Sequence, residues 1–490
     1  MMKNVFPVPK EVSQVTSALE NAGFEAYLVG GCVRDLYLGN KPKDWDITTN
    51  AKPDQIISLF ENTFYENDFG TVGVVQETED ETLKVIEVTP YRTEGKYSDN
   101  RRPDSVSFEA TLEDDLKRRD FTINAIALNH SKNVVVDPFF GRGDIQSGII
   151  RTVGKPTDRF EEDGLRIMRA VRIHAELGFE IHEDTKLAIA ETGHLLKNIA
   201  KERVRDEFIR IIMSKNPMIG LVLCQKLSIL QYIVPELEKS VGIEQNKAHA
   251  FDVWTHLLKS VQHAADKEWP LHIRLAALFH DISKPETRRW SKEKEEWTFY
   301  GHEVVGERVT REIMRDLRFP KELTEQVVKL VRWHMFFSDT EQITLSAVRR
   351  LISNVGKENV WDLMNVRICD RIGTGRPKED PYRLRKYKSM VEEAMHDPIS
   401  VSMLNIDGNT LINDLSIPPG PRIGYILHAI LEEVLEKPEL NTKKLLIERA
   451  GELDKLTDEE LMKLGASGKT KKEEEEGKIL EKIRGKYWVK

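Results

Sequence analysis

Two aspartates one residue apart, Asp44 and Asp46 in the run DWDI, stand behind a Gly-Gly turn in LVGGCVRDLYLG. A short apolar run, Ala26 to Val29, enters that turn and a helix-like segment leaves it, which predicts a strand, a phosphate-sized turn, a helix and a second strand. Alternate residues of a strand share a face, so Asp44 and Asp46 can hold a divalent metal between them. The small turn in front leaves room for a triphosphate. Alone, the same pattern also fits a surface turn followed by a solvated acidic strand end.

Further residues extend this chemistry. Glu87 lies between Ile86 and Val88 in LKVIEVTPY. A carboxylate buried on a strand must be paired or bind metal, so Glu87 is a candidate third carboxylate, with a water-facing strand edge as the alternative. Lys117, Arg118 and Arg119 precede an apolar stretch in LKRRDFTINAIAL; they could hold phosphates or simply coat a helix surface. In EEDGLRIMRAVRIH, Asp163 and Arg166 are three apart, which makes them neighbours on one helical face. Arg169 continues that stripe, but each step of three turns the helix back by about 60°, so Arg172 lies nearly opposite Asp163. Cytosine and adenine both present an amino donor beside a ring-nitrogen acceptor. A carboxylate and a guanidinium together would take C or A and reject U or G. An ordinary salt bridge between neighbouring turns is the alternative.

A second set follows. His256 precedes the adjacent pair His280 and Asp281 in LFHDISKP, and His302, His334 and Asp370 come later. Imidazole and carboxylate suit a divalent metal, and helices can assemble such scattered residues.

The elements that must position these groups follow from length and texture. At 490 residues the chain is too long for one ordinary core. Residues 10 to 22 have helical spacing, and residues 1–150 otherwise alternate short β-rich runs, including 69–76 and 83–91, with polar turns. The segment 91–108, YRTEGKYSDNRRPDSVSF, reads as a long mobile loop, and 135–145 as a tight Gly-rich turn. From Pro156 long helices take over. The expected fold is α+β: a small mixed-sheet head (1–150), an all-helical neck and body (151–240), a helical unit carrying the histidines (241–385) and a helical C-terminal segment with a charged tail (386–490). Hydrophobic residues are 40% and charged ones 31%, and the formal net charge of −8 argues against indiscriminate coating of nucleic acid while permitting a local basic groove. No apolar run approaches the roughly 20 residues that span a bilayer. Three scattered cysteines, Cys32, Cys224 and Cys369, suggest neither a disulfide framework nor a structural zinc site, so a cytoplasmic location and no membrane partner are expected.

Taken in order, GGCVRD with DWD, RRDFTINA and EDGLRIMR resemble the successive motifs of the class II tRNA nucleotidyltransferases, the CCA-adding enzymes, of the DNA polymerase beta superfamily. The resemblance covers about residues 20 to 240. It implies template-independent addition of CCA to tRNA from CTP and ATP, with Asp44 and Asp46 binding catalytic Mg²⁺ and Gly31 and Arg34 contacting the triphosphate. It further implies that Arg119 and Asn124 hold sugar and phosphates, that Asp163 and Arg166 read the base, and that Arg169 and Arg172 steady the nucleotide and that helix. The 91–108 loop is similar to one found in enzymes that add the final A, which disfavours pure CC addition and leaves A-only addition open. Gly164 inside EDGLR departs from a good helix former and would soften the helix. The set His256, His280, Asp281 and Asp370 resembles the HD superfamily of metal-dependent phosphohydrolases, implying a divalent metal and RNA 3′ phosphates as substrate. A poly(A) polymerase, or a protein acting mainly as an HD phosphohydrolase, are the rival readings.

Overall fold

The computed structural model describes residues 6–65, 70–95, 106–246, 249–336 and 343–465. The chain divides into two compact units, Met1–Glu238 with Asp316–Phe319, and Lys239–Arg315 with Pro320–Lys490.

The first unit opens with helix α1 (Lys10–Asn21), whose buried Val12, Val15, Thr16 and Leu19 follow the spacing read from the sequence. A seven-stranded sheet is built from β1 (Ala26–Val29), β2 (Asp46–Thr49), β3 (Thr63–Tyr65), β4 (Val72–Val75), β5 (Val85–Pro90), β8 (Ala127–Asn129) and β9 (Val134–Val136). A separate ladder pairs β6 (Thr93–Glu94) with β7 (Val106–Ser107). The sheet order is β3-β4-β5-β2-β1-β8-β9. Only β2 and β5 run parallel, so the sheet is mixed, as expected. In β5 the residues Ile86, Val88 and Pro90 are buried while Glu87 and Thr89 are partly open, the alternation of a half-buried strand. The expected strands at 69–76 and 83–91 are β4 and β5 with their ends trimmed. Strands β3, β8 and β9 were not anticipated, since three residues each are too few for periodicity to register.

Several expectations are corrected. Strand β2 begins at Asp46, so Asp44 lies in the bend before it. The alternation in burial nonetheless holds: Asp44 is exposed, Trp45 buried, Asp46 half-buried and Ile47 buried. The Gly-rich run read as a tight turn contains helix α5 (Gly141–Ser147), entered through Phe140 in the left-handed region. The 91–108 segment, expected as one loop, pairs near its ends as β6 and β7; its residues 96–105 lie outside the described residues, as do 466–490 of the tail.

The largest correction concerns EEDGLR. Helix α6 (Pro156–Glu162) ends at Asp163, and α7 (Leu165–Leu177) starts afresh after Gly164. Asp163 has φ −140° and ψ 103°, so Asp163 and Arg166 do not share one helical face. Gly164 therefore softens no helix interior. A Cβ there would stand 3.2 Å from Cβ of Leu195 and 3.4 Å from Cδ1 of Ile199, so glycine lets the junction pack closely. Helix α7 packs on α9 (Lys201–Met213) and α10 (Pro217–Lys226).

Among its described residues the second unit is helical apart from a hairpin, Arg289–Ser291 with Glu296–Thr298. The helices Val253–Asp266 and Val360–Gly373 cross closely. A Cβ on Gly373 would fall 2.2 Å from Oγ of Ser260, and Ser260 itself donates to the carbonyls of His256 and Cys369 at 2.8 and 3.2 Å. Towards the C-terminus, Arg350 ties the Leu345–Val355 helix to Glu432 and Glu436 of the Pro421–Glu436 helix at 3.1 and 2.7 Å. Cys32, Cys224 and Cys369 are buried free thiols, and no helix among the described residues is long and apolar enough to cross a membrane.

Candidate active site and a second, histidine-rich centre

Gly30 leaves β1 with φ 82°, a left-handed conformation that glycine adopts at no steric cost. A Cβ there would lie 3.1 Å from Oδ2 of Asp46 and 3.4 Å from Nη1 of Arg119. The turn, the metal-candidate carboxylate and the RRD motif thus meet at one point. Glu87 is the register partner of Asp46 across the parallel β2–β5 pair, so both side chains project from the same face of the sheet. Beneath them Cys32 is pushed up to about 12, by burial first and then by the charges of Asp46 and Asp44. A buried thiol at that value is neutral and unreactive at pH 7.

A chain of polar contacts runs outward from helix α2 (Gly31–Tyr37). Arg34 donates from Nε and Nη2 to Oδ1 of Asp35 at 3.0 and 2.8 Å, and from Nη1 to Oδ1 of Asn124 at 2.9 Å. Asn124 donates to Oδ1 of Asp120 at 3.2 Å, and Oδ2 of Asp120 meets Nη2 of Arg169 at 2.8 Å. Burial alone would raise the Asp120 carboxyl, but Arg169 and Arg166 outweigh it and hold it below the usual range. Arg169 in turn is pushed up, by Asp120 first, with Glu207, Asp163 and Asp46 also contributing. Gly31 lies beside this chain: a Cβ on it would be 3.6 Å from Nη2 of Arg34.

Asp115, absent from the candidates read in the sequence, holds the RRD motif. Its Oδ1 accepts from Nε and Nη2 of Arg118 at 2.9 and 2.6 Å; its Oδ2 accepts from Nη2 of Arg119 and from the Thr48 hydroxyl, each at 3.2 Å. Thr48 sits two residues beyond Asp46 on β2, so one buried carboxylate links the arginine motif to the metal strand. The only sequence signal was an aspartate four residues before Arg119 on helix α4 (Leu112–Lys117).

Asp163 and Arg166 have different partners from those an isolated salt bridge would give. Arg203 on α9 grips Asp163 bidentately at 3.3 and 2.9 Å, and the backbone N–H of Leu165 adds a bond at 3.0 Å. Arg166 donates to Glu162 at 2.7 Å and to the carbonyls of Arg159 and Arg118 at 3.2 and 3.0 Å. A carboxylate offers about four acceptor positions and a guanidinium five N–H donors. After three bonds each, Asp163 retains acceptor capacity and Arg166 retains Nε–H and one Nη2–H. Arg172 sends Nη1 to both oxygens of Glu207 on α9 at 2.9 Å, which anchors α7 to α9.

In the second unit His256, His280, Asp281 and Asp370 converge from three helices or their ends. Nε2 of His256 lies 2.8 Å from Nε2 of His280, 3.0 Å from Oδ2 of Asp281 and 3.5 Å from Oδ1 of Asp370; Nε2 of His280 lies 3.3 and 3.7 Å from the same two oxygens. The four side chains offer ligand atoms within 4.8 Å of one another. Lys284 reaches Oδ2 of Asp281 at 2.6 Å, and Arg367 reaches Oδ2 of Asp370 at 2.6 Å. Although burial opposes it, Asp281 and Asp370 drive His280 up to about 9, while both carboxyls stay well below their usual range. Burial pushes His334 down to about 4. Buried ionised carboxylates that draw positive charge onto a neighbouring imidazole, in a mixed N/O donor set, fit a borderline divalent cation.

Comparison with known proteins agrees with this layout. Family models match at residues 26–151 ("Poly A polymerase head domain"), 178–240 ("Probable RNA and SrmB- binding site of polymerase A") and 248–371 ("HD domain"). A CCA-adding enzyme of Lactiplantibacillus plantarum is 31% identical over 440 residues, covering 89% of this chain and 94% of its own length. One from Geobacillus thermodenitrificans is 31% identical over 435 residues, covering 87% and 92%. The crystal structure of the Bacillus stearothermophilus CCA-adding enzyme in complex with CTP superposes with a TM-score of 0.68 at 28% identity, covering 91% of this chain and 100% of that one. The Thermotoga maritima CCA-adding enzyme complexed with tRNA shares the fold, with a TM-score of 0.54 at 18% identity and coverage of 92% and 97%. Similarity at this level along nearly the whole length of its relatives, with the motifs gathered at one turn, means that the chain belongs to the family of CCA-adding enzymes.

Proposed function

We propose that this chain completes tRNA 3′ ends with CCA, or its missing part, from CTP and ATP without a nucleic-acid template. The observation that carries the proposal is the meeting of Gly30, Asp46 and Arg119, continued through Arg34, Asn124 and Asp120 to Arg169. Asp44, Asp46 and Glu87 supply oxygen donors only, which suits Mg²⁺. Bound there, the ions would activate the RNA 3′-hydroxyl and stabilise the leaving pyrophosphate. Gly31 and Arg34 receive the triphosphate, Arg119 and Asn124 hold sugar and phosphates, and Arg169, its charge strengthened by Asp120, steadies the nucleotide. The remaining acceptor capacity of Asp163 and the free N–H groups of Arg166 match the edge shared by C and A. Arg172 acts through Glu207, holding α7 in place. In this reading residues 1–150 transfer the nucleotide and 151–240 select the base and hold tRNA.

The test offers tRNA ending in CC each nucleoside triphosphate separately. Asp46→Ala should abolish transfer with every nucleotide. Asp163→Ala should retain transfer but lose discrimination against UTP and GTP by at least about tenfold, one good bidentate pair being worth roughly 1–3 kcal/mol. Equal loss of transfer in both variants, with selectivity intact, would count against the base-reading role.

A second activity is favoured by the buried set His256, His280, Asp281 and Asp370. With a divalent metal these residues would hydrolyse a phosphoester, such as a terminal or 2′,3′-cyclic phosphate at an RNA 3′ end, clearing it for extension. Bound metal would supply Lewis-acid activation of water; Lys284 and Arg367 keep the two carboxylates ionised.

A further inference from the structure

The hairpin of the helical unit carries a pair of tryptophans. Trp290 and Trp297 are register partners on its two strands, and their rings meet edge to face with centroids 5.1 Å apart. Such a cross-strand pair stabilises a short hairpin. It nevertheless leaves Trp290 52% exposed, and Tyr300, three residues past Trp297, is 64% exposed. Two large rings this open, close together in the chain, present their π-faces to whatever approaches.

The rings belong to a ladder of cations and aromatics that begins at Asp281. Nζ of Lys284 lies 2.6 Å from Oδ2 of Asp281 and 5.4 Å from the ring centroid of Phe299. One turn further on, past the Lys284–Thr287 helix, Cζ of Arg288 lies 3.7 Å over the ring of Trp297, with Nη2 3.5 Å from Oε2 of Glu244. Trp297 then meets Trp290. From the turn of the hairpin, Lys294 donates from Nζ to the Tyr300 hydroxyl at 2.9 Å and lies 5.5 Å from that ring's centroid. The chain joins the two ends directly as well: Phe299 follows the second strand, and its carbonyl contacts Nδ1 of His302 at 2.7 Å. Trp297 stands two residues before Phe299, about 7 Å along an extended chain. That places the rings within reach of the nucleotides next to a phosphoester held at Asp281.

We propose that Trp290, Trp297 and Tyr300, braced by Arg288, form a stacking platform for the unpaired bases of an RNA 3′ end whose terminal phosphate is presented to the histidine-aspartate centre. This rests on the reading of that centre as a phosphoesterase. Every base has a π-face, so aromatic rings take single strands with little sequence preference, which suits a 3′ end trimmed at any point. In the turn, Lys292 and Lys294 alternate with Glu293 and Glu295, so the surface has little net charge and grips bases rather than phosphates. Binding there depends weakly on salt, unlike a phosphate clamp.

The test uses the full chain and a tetranucleotide ending in 2-aminopurine riboside 3′-phosphate, whose fluorescence is quenched when its base stacks. The unaltered chain should quench the probe, with a Kd that changes less than about threefold between 50 and 200 mM salt. Trp290→Ala should raise the Kd at least about fivefold and remove most of the quenching, the weight of one stacked base, and Trp290→Phe should restore both. Tyr300→Ala, which leaves the tryptophan pair intact, should raise the Kd about threefold or more; each variant is checked for native circular dichroism. Hydrolysis of β-glycerophosphate by the unaltered chain, with Mn²⁺ supplied, reads the phosphoesterase activity separately. Its absence beside intact, Trp290-dependent quenching removes that activity and supports the platform. Hydrolysis with Kd and quenching unchanged in Trp290→Ala and Tyr300→Ala overturns the platform and leaves the activity standing. A Trp290→Ala chain that loses self-association in gel filtration and binds the probe as before overturns the RNA assignment in favour of a contact between copies.

Discussion

At Gly30 a small change reaches the site directly. Its positive φ strains any L side chain, and an added Cβ would press on the side chains of Asp46 and Arg119. Gly30→Ala carries roughly 1–2 kcal/mol of left-handed strain and displaces one of the two charged groups. It should therefore lower the rate of nucleotide transfer by about tenfold or more while leaving tRNA binding within about twofold, as measured by single-turnover extension beside a filter-binding titration. The GG pair was legible as a turn, and DWD as a carboxylate pair, because both signals are local. That Arg119 closes the same point was not legible from spacing, since the two segments are brought together only by the sheet. Asp163 shows the same limit. Its distance from Arg166 along the chain suggested a shared helical face, but the helix breaks between them, and the partner of Asp163 is Arg203, forty residues on.

Buried ion pairs help to hold the elements in place alongside apolar packing. Asp115 ties helix α4 and the RRD motif to β2. Burial alone would raise its carboxyl, but Arg119 and Arg118 outweigh that and hold it below the usual range. Its folded value thus lies below the unfolded value of about 3.9. The contribution to stability is full above that unfolded value and is lost as the pH falls through the folded one. Asp115→Asn should lower stability at pH 7 by about 3–5 kcal/mol, the usual result of stripping one partner from a buried charged network. It should also flatten the loss of stability as the pH falls below about 4, as measured by urea unfolding followed by tryptophan fluorescence. Elements with strong periodicity, such as α1 and β5, could be read in advance because one face is apolar along their whole length. The three-residue strands β8 and β9 and helix α5 could not, because their conformation is imposed by the sheet they join and by a left-handed residue at Phe140.

Across the whole molecule two chemistries occupy two compact units. The mixed-sheet unit presents oxygen donors and arginines, the set suited to a hard cation and a triphosphate. The helical unit presents imidazoles and carboxylates, the set suited to a softer ion and a phosphoester. Both sets were visible as residue types in the sequence, and the order of the four head motifs indicated the family. The ladder from Asp281 to Trp290 was not visible, because it depends on which cation covers which ring.

The most direct test of the central claim is product sequencing. Purified full-length chain is given tRNA transcripts ending before CCA, after C and after CC, with CTP, ATP or both, and each 3′ end is read after extension. The account predicts that all three substrates finish at CCA when both nucleotides are present, that CTP alone stops at CC, and that no tail grows beyond the A. Addition of A only to the CC end would make the chain an A-adding enzyme, long A tails on any RNA would make it a poly(A) polymerase, and failure to extend any of the three would contradict the account outright.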